Sequence, residues 1–307
     1  MATKIAAVQA TPVVLDRAST VRKVVSLIGE AGRNGAELIV LPETFIPTYP
    51  DWIWRITAWD EPYDTLHAML QDQAVDVPGP VTIAIGRAAK KSQAWVSVGV
   101  NERVPENGTL YNTQLMFSPD GALAGKHRKL VPTGPERLVW GMGDGSDLDV
   151  YETAFGRVGG LICWENYMPL ARTALYGKGV DIWTAPTWDN GGAWVATLRH
   201  IAREGRVFVV GVTTLLSASD IPDGLPGREM WDDGEDWIND GHSAIVGPDG
   251  AVIAGPLIGE EGILYTDVDA ATARAERYKF DPVGHYARPD VFTLVVNEKP
   301  KTGFSEG

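Results

Sequence analysis

The sequence predicts an α/β fold, and three patterns carry that expectation. The chain opens as strand, helix, strand. A short apolar run farther on ends at a solitary cysteine and turns into a helix. Two similar hairpin turns recur far apart. Apolar runs alternating with segments of helical period indicate strands bridged by helices.

Residues 4–10 read as the first strand. Asp16 caps an amphipathic helix with Val21, Val24, Val25, Ile28 and Ala31 on one face, and Gly32 and Gly35 lie near its end. Residues 37–41 form the second strand, which stops at Pro42; Glu43 follows at once. Residues 44–78 are expected to be irregular. Their aromatics (Phe45, Tyr49, Trp52, Trp54, Trp59 and Tyr63) suit either the wall of an apolar pocket or packing onto the core. Residues 79–91 suit a helix and 94–103 a strand. The runs 111–117 and 122–126 flank Pro119-Asp120-Gly121, and 243–246 and 251–254 flank Pro248-Asp249-Gly250. Both are hairpin signals, and their recurrence suggests two halves of related layout.

Residues 127–147 read as one long ordered loop carrying Lys129, Glu136 and Trp140. Residues 158–162 form a buried strand ending at Cys163; a helix over 169–176, a strand over 180–185, a helix over 193–204 and a strand over 206–212 follow. The stretch 217–241 holds eight acidic residues and one basic residue, Arg228, and is expected to be a solvated loop. A last strand spans 262–268 and a short helix 270–278. No linker divides the chain, so residues 1–292 are read as one domain and 293–307 as a short tail.

Composition narrows the function classes. With 40 acidic and 27 basic residues the formal charge is −13, which argues against nucleic acid and anionic membranes as partners. One cysteine excludes an internal disulfide and fits a reducing cytoplasm. The start lacks a signal-peptide pattern and no apolar run approaches spanning length, so a cytoplasmic protein is expected.

Cys163 lies where a strand's carboxyl end meets a helix start, the place where open α/β sheets bind ligands. Asn166 can cap that helix, and Pro169 suits its first turn. Unpaired backbone N–H groups there favour a thiolate. Read alone, a lone cysteine suits a small core position better than a reactive one. Glu43 and Lys129 change the balance, because thiol, carboxylate and ammonium together suit nucleophilic attack on an unsaturated carbon–nitrogen centre. His127, His200 and His242 keep a Cys–His arrangement open on spacing alone.

These stretches resemble the Glu-Lys-Cys triad of the nitrilase superfamily, and specifically its true nitrilase branch. The resemblance runs through Lys126-His127-Arg128-Lys129-Leu130-Val131-Pro132-Thr133-Gly134-Pro135-Glu136-Arg137, Trp140-Gly141-Met142-Gly143-Asp144-Gly145-Ser146, Cys163-Trp164-Glu165-Asn166, Ala185-Pro186-Thr187, the segment 199–206 and Asp281-Pro282-Val283-Gly284-His285-Tyr286. It covers roughly residues 4–292. It implies a four-layer α-β-β-α sandwich, with Glu43 as general base, Lys129 as electrostatic stabiliser and Cys163 as nucleophile. Glu136 matches a further family glutamate near the site; its alternative is an ion pair with Arg137 or Arg128. The Trp164 backbone N–H is a candidate donor to the substrate nitrogen, and Trp164, Trp188 and Tyr49 are candidate substrate contacts, with core packing the alternative for both tryptophans. His200, Asp144 and Ser146 are read as structural.

The activity implied is hydrolysis of an organic nitrile to acid and ammonia, without cofactor or metal, in a homodimer that builds larger homo-oligomers. An amidase or carbamoylase, a cyanide-converting enzyme and an inactive scaffold are the alternatives. Trp164-Glu165, Asn166 and the intact triad respectively argue against them. The aromatics lean towards an aromatic or arylaliphatic substrate.

Overall fold

A computed structural model describes residues 2–301; residue 1 and residues 302–307, the end of the predicted tail, lie outside the described residues. Two seven-stranded sheets organise the chain. The first contains β1 (Thr3–Gln9), β2 (Leu38–Val40), β3 (Val75–Asp76), β4 (Trp95–Arg103), β5 (Leu110–Phe117), β6 (Leu123–Arg128) and, from the far end of the chain, β14 (Gly262–Val268). The second contains β7 (Val150–Thr153), β8 (Gly156–Gly160), β9 (Ile182–Thr187), β10 (Phe208–Thr213), β11 (Leu215–Ser217), β12 (Trp237–Val246) and β13 (Val252–Ile258). The helices are α1 (Arg17–Arg33), α2 (Tyr63–Gln73), α3 (Pro80–Ser92), α4 (Pro169–Gly177), α5 (Gly191–Gly205) and α6 (Ala270–Glu276).

The sheets share one plan. In the first, β1, β2 and β4 run parallel and lead into the antiparallel β5–β6 hairpin. In the second, β8, β9 and β10 run parallel, and β12 and β13 add antiparallel. Each Pro-Asp-Gly turn sits at the tip of its hairpin, so the two-halves expectation has a structural counterpart.

Strand alternation builds the layers. Ile5, Ala7, Leu38 and Val40 face a core shared with Val158, Ile182, Val210 and Val212, which places the two sheets face to face. The intervening Ala6, Val8, Ile39 and Leu41 pack under Val24, Ile28, Ile85 and Ala89 of α1 and α3. On the far side, Trp183, Ala185 and Val209 pack under Leu175 of α4 and Trp194, Leu198 and Ile201 of α5. This is the predicted four-layer α-β-β-α sandwich.

Several local expectations need correction. The segment 44–78 is not irregular throughout, since it contains α2, which buries Tyr63, Leu66 and Leu70. Its Pro62 N-cap makes no side-chain hydrogen bond, so the usual start signal is missing. In α1, Asp16 does cap, accepting the Ser19 N–H, but Thr20 is buried where Val25 was expected. The acidic stretch 217–241 is only partly solvated. Asp232, Asp233, Glu235 and Asp236 are exposed, yet Ile221, Leu225 and Trp231 are buried in an aromatic cluster with Tyr49, Trp52, Tyr63 and Trp140. Ile221 and Leu225 lie in bends and Trp231 ends a short 3-10 helix, Arg228–Trp231, so their spacing follows no α-helical or strand period, and β12 already begins at Trp237.

Candidate active site

Close backbone packing carries Glu43 into the interior. Past the end of β2 the chain stays bonded to β4: Leu41 N–H donates to the Ser97 carbonyl, and Gly99 N–H to that of Pro42. A Cβ on Gly99 would lie 2.3 Å from the Pro42 oxygen and from the Thr44 nitrogen, so only glycine permits this approach. Cys163 is placed in the same way past β8. Leu161 N–H donates to the Thr184 carbonyl, and a Cβ on Gly160 would meet that oxygen at 1.9 Å. The cysteine itself takes φ 51°, a left-handed conformation unusual for a non-glycine residue, as the chain swings into a 3-10 turn, Cys163–Tyr167. Lys129 follows β6 and donates its backbone N–H to the Asn112 carbonyl. Glu136 belongs to a 3-10 turn, Gly134–Leu138, and accepts the Thr133 N–H at 2.7 Å.

These residues converge. Lys129 is fully buried, and its Nζ donates to Glu43 Oε1 and to Glu136 Oε2, each at 2.8 Å. Glu43 also accepts from Asn112 Nδ2 at 2.6 Å and from the Trp188 backbone N–H at 2.6 Å. Tyr49 donates its hydroxyl to Glu136 Oε1 at 2.7 Å and accepts from Trp54 Nε1 at 3.0 Å. Thr187 donates its hydroxyl to Cys163 Sγ at 3.1 Å.

Electrostatics decide the resting protonation. Burial and the Glu43 carboxylate push the Cys163 thiol up, outweighing Lys129, so the sulfur rests protonated. A cysteine thiol is mostly protonated at neutral pH even unperturbed, and here the partial charges of the backbone N–H groups do not outweigh full burial beside carboxylates. Burial opposes the Lys129 charge, but the Glu43 and Glu136 carboxylates outweigh it and keep the ammonium charged. Burial raises the Glu43 carboxyl against the pull of Lys129, which improves it as a proton acceptor.

The other predicted residues fall into place unequally. Glu136 pairs with Lys129, whereas Arg128 binds Glu102 at 2.6 Å and Arg137 donates to the Pro132 carbonyl. Trp188 stacks on Tyr49, ring centres 4.3 Å apart and planes 4° apart. Trp164 is half exposed and donates its indole N–H to Asp189 at 2.8 Å. With Trp54, Val131, Thr133, Gly134 and Met168 it lines a cavity of about 580 Å³ beside the turn that holds Glu136. His200 is exposed, and His242 faces Asp240. Both ring nitrogens of His127 are engaged by Asp147 and Glu165, so His127 is not free to pair with the cysteine. Asp144 does fix a turn, accepting the Ser146 N–H. Asn166 does not cap α4; Met168 occupies that position, and the Asn166 amide donates to the Leu161 and Cys163 carbonyls.

Sequence reasoning missed Asn112 and Thr187. Asn112 had a signal, a polar residue on an otherwise buried strand. Thr187 lies in a matched motif but contributes through a sulfur 24 residues away. Among the described residues no group of three or more His, Cys, Asp or Glu could hold a metal ion, and no helix is long and apolar enough to cross a membrane.

Comparison with known proteins agrees with this geometry. The carbon–nitrogen hydrolase family profile matches residues 4–278. A protein described as an aliphatic nitrilase of Sinorhizobium fredii (strain HH103) is 47% identical over 300 residues, covering 97% of this chain and 96% of its own. Nitrilase 2 of Arabidopsis thaliana is 42% identical over 307 residues, covering 96% and 88%. Among solved structures, a carbon–nitrogen hydrolase from Helicobacter pylori G27 superposes with a TM-score of 0.74 at 20% identity, covering 95% of this chain and 97% of the other. A matching profile across most of the chain, relatives above 40% identity and the same four layers lead to one assignment: this chain belongs to the carbon–nitrogen hydrolase family, in its nitrilase branch.

Proposed function

We propose that this protein is a nitrilase that converts an organic nitrile to its carboxylic acid and ammonia, with residues 1–292 as one catalytic domain. The observation that carries the reading is the buried cluster in which Lys129 bridges Glu43 and Glu136 beside the only cysteine. The nitrilase names of relatives at 42–47% identity support it.

Glu43 takes the proton from Cys163, and the sulfur adds to the nitrile carbon. The nitrogen takes that proton back, leaving a covalent thioimidate. The Trp164 backbone N–H, in the first turn after the cysteine, has no intrahelical acceptor and serves as the donor to this nitrogen. Water then adds to the carbon as Glu43 accepts its proton, and Lys129 stabilises the negative charge on the tetrahedral intermediate. The nitrogen takes up both protons of that water, one returned by Glu43 and one from the hydroxyl oxygen; the carbon–nitrogen bond breaks as the carbon–oxygen double bond forms, and ammonia leaves a thioester. A second water cleaves the thioester, returns the proton to sulfur and releases the acid. Glu136 accepts from Lys129 and is itself held by the Tyr49 hydroxyl, which fixes the ammonium beside Glu43. The Tyr49–Trp188 stack and the cleft at Trp164 favour an apolar nitrile substituent.

The test is ammonia release from aliphatic, arylaliphatic and aromatic nitriles, cyanide and the matching amides, for the wild type and Cys163→Ala. Turnover of nitriles that vanishes in the variant supports the proposal. Turnover of amides alone moves the protein to amide hydrolysis, and an active Cys163→Ala variant overturns the mechanism.

A further inference from the structure

Two residues before Lys129, the His127 imidazole is buried between two carboxylates, with Nδ1 2.9 Å from Asp147 Oδ1 and Nε2 3.0 Å from Glu165 Oε2. Glu165 is fully engaged. Besides His127 it accepts the Ile162 N–H at 2.8 Å and the Leu130 N–H at 2.5 Å. Asp147 accepts the Arg128 N–H at 2.9 Å. Ile162 directly precedes the candidate nucleophile Cys163, and Arg128 and Leu130 flank the candidate stabiliser Lys129. One carboxylate therefore grips the backbone beside both reacting side chains, which come from different sheets.

We propose that Glu165, His127 and Asp147 form a clamp that sets the distance between the Lys129 ammonium and the Cys163 sulfur, and are positioning residues for the reaction. The sheets do not fix this distance directly, because each sheet holds only one of the two residues. Lys129 and Cys163 lie past the ends of their strands, β6 and β8, where the Lys129 N–H to the Asn112 carbonyl and the Leu161 N–H to the Thr184 carbonyl carry each ladder a step further within its own sheet. Glu165 bridges the two overhanging ends. His127 supplies the opposing charge that keeps Glu165 an acceptor on both oxygens. Burial works against the imidazolium, but Glu165 and Asp147 outweigh it and lift its pKa to about 10. Burial also opposes the Glu165 carboxylate, and His127 with the two N–H donors overcomes that and holds its pKa below the usual range. The clamp stays charged across the neutral range, so it acts as a fixed strut.

The inference rests on the nitrilase reading for its importance in turnover, but its test does not need a nitrile. The rate at which iodoacetamide alkylates Cys163 is measured against pH in the wild type and in Glu165→Gln, whose amide can accept only one of the two backbone N–H groups. Cys163 faces Glu43, Lys129 and Glu136 and accepts from Thr187, so retreat of the ammonium leaves the carboxylates to dominate. At a fixed pH below the raised thiol pKa, the alkylation rate is expected to fall about tenfold, because less of the sulfur is thiolate. On the best nitrile, kcat is expected to fall by on the order of 10²-fold with KM within about threefold, as small misplacement of reacting groups does. His127→Gln, which keeps a donor to Glu165 but loses the charge, serves as second variant if Glu165→Gln does not fold, and is expected to lower the alkylation rate in the same direction. A folded variant with the wild-type alkylation rate and kcat overturns the clamp. If the wild type releases no ammonia from any nitrile, the nitrilase reading fails while the alkylation comparison still decides the clamp.

Discussion

Lys129 and His127 stand two residues apart where β6 ends, and each is a buried cation between two carboxylates. Their surroundings differ in one respect. The Lys129 cluster borders the Cys163 sulfur, and its carboxylates are held by the Asn112 amide, the Tyr49 hydroxyl and single N–H groups of Thr133 and Trp188. The His127 cluster borders no nucleophile, and its carboxylates bind the backbone of Arg128, Leu130 and Ile162. The same charge pattern thus suits two tasks. Where a reactive atom is left facing it, the cluster can move protons and stabilise charge. Where backbone donors saturate it, the cluster holds segments in register.

Replacing each cation tests this division. Lys129→Met is expected to lower kcat by more than about 10³-fold, because charge stabilisation is lost and two buried carboxylates face each other unpaired. The same change is expected to cost roughly 3–5 kcal/mol of folding stability, read from denaturant unfolding. A variant keeping a tenth of wild-type activity would remove Lys129 from the chemistry. Glu136→Gln keeps the shape and most hydrogen bonds but removes one charge. A fall in kcat of about 10²-fold, with KM nearly unchanged, is the expected steady-state result, and an unchanged kcat would reduce Glu136 to packing.

The His127 cluster should instead announce itself in stability against pH. The folded pKa of about 10 lies above the ordinary 6.5, so the native state holds a proton that the unfolded chain has released between these values. The stabilisation is therefore fully present below pH 6.5 and is lost as pH rises through about 10. Melting temperatures measured over this window should fall more steeply in the wild type than in His127→Asn, and parallel curves would sink the assignment. A smaller effect is expected at Trp188. Its stacking on Tyr49 is worth about 0.5–1.5 kcal/mol, so Trp188→Ala should raise KM for an apolar nitrile by roughly two- to tenfold. A KM that stays constant across the substrate panel would remove Trp188 from the pocket wall. The smallest effect belongs to His200→Gln on the solvent face of α5, expected to stay within about 0.5 kcal/mol in stability and to leave turnover intact.

Legibility followed periodicity. The strands β1, β4, β5 and β14 and the helices α1, α3, α4 and α5 repeat apolar residues at their own period, and each appeared within a few residues of its place. The helix α2 escaped because its start carries no capping side chain and its aromatics obscure the helical stripe. The burial of Ile221, Leu225 and Trp231 escaped because bends and a short 3-10 helix have no α-helical or strand period, and eight acidic residues dominate that stretch. At the candidate site, Glu43, Lys129, Glu136 and Cys163 were legible as chemistry at the ends of apolar runs and in linked motifs. Asn112, Thr187 and the partners of His127 were not, because each acts through a residue distant in sequence.

By itself, the order of residues determined most of the strands and helices, the α/β class and which side chains are candidates for the chemistry. These follow from local backbone preference and from functional groups fixed by residue type. Only the tertiary structure decided that Lys129 meets Glu43 across 86 residues, that Glu43 accepts an N–H from Trp188 across 145, and that Cys163 rests as a thiol. Those outcomes depend on which strand ends face each other and how completely water is excluded between them, and both are set by packing the two sheets together.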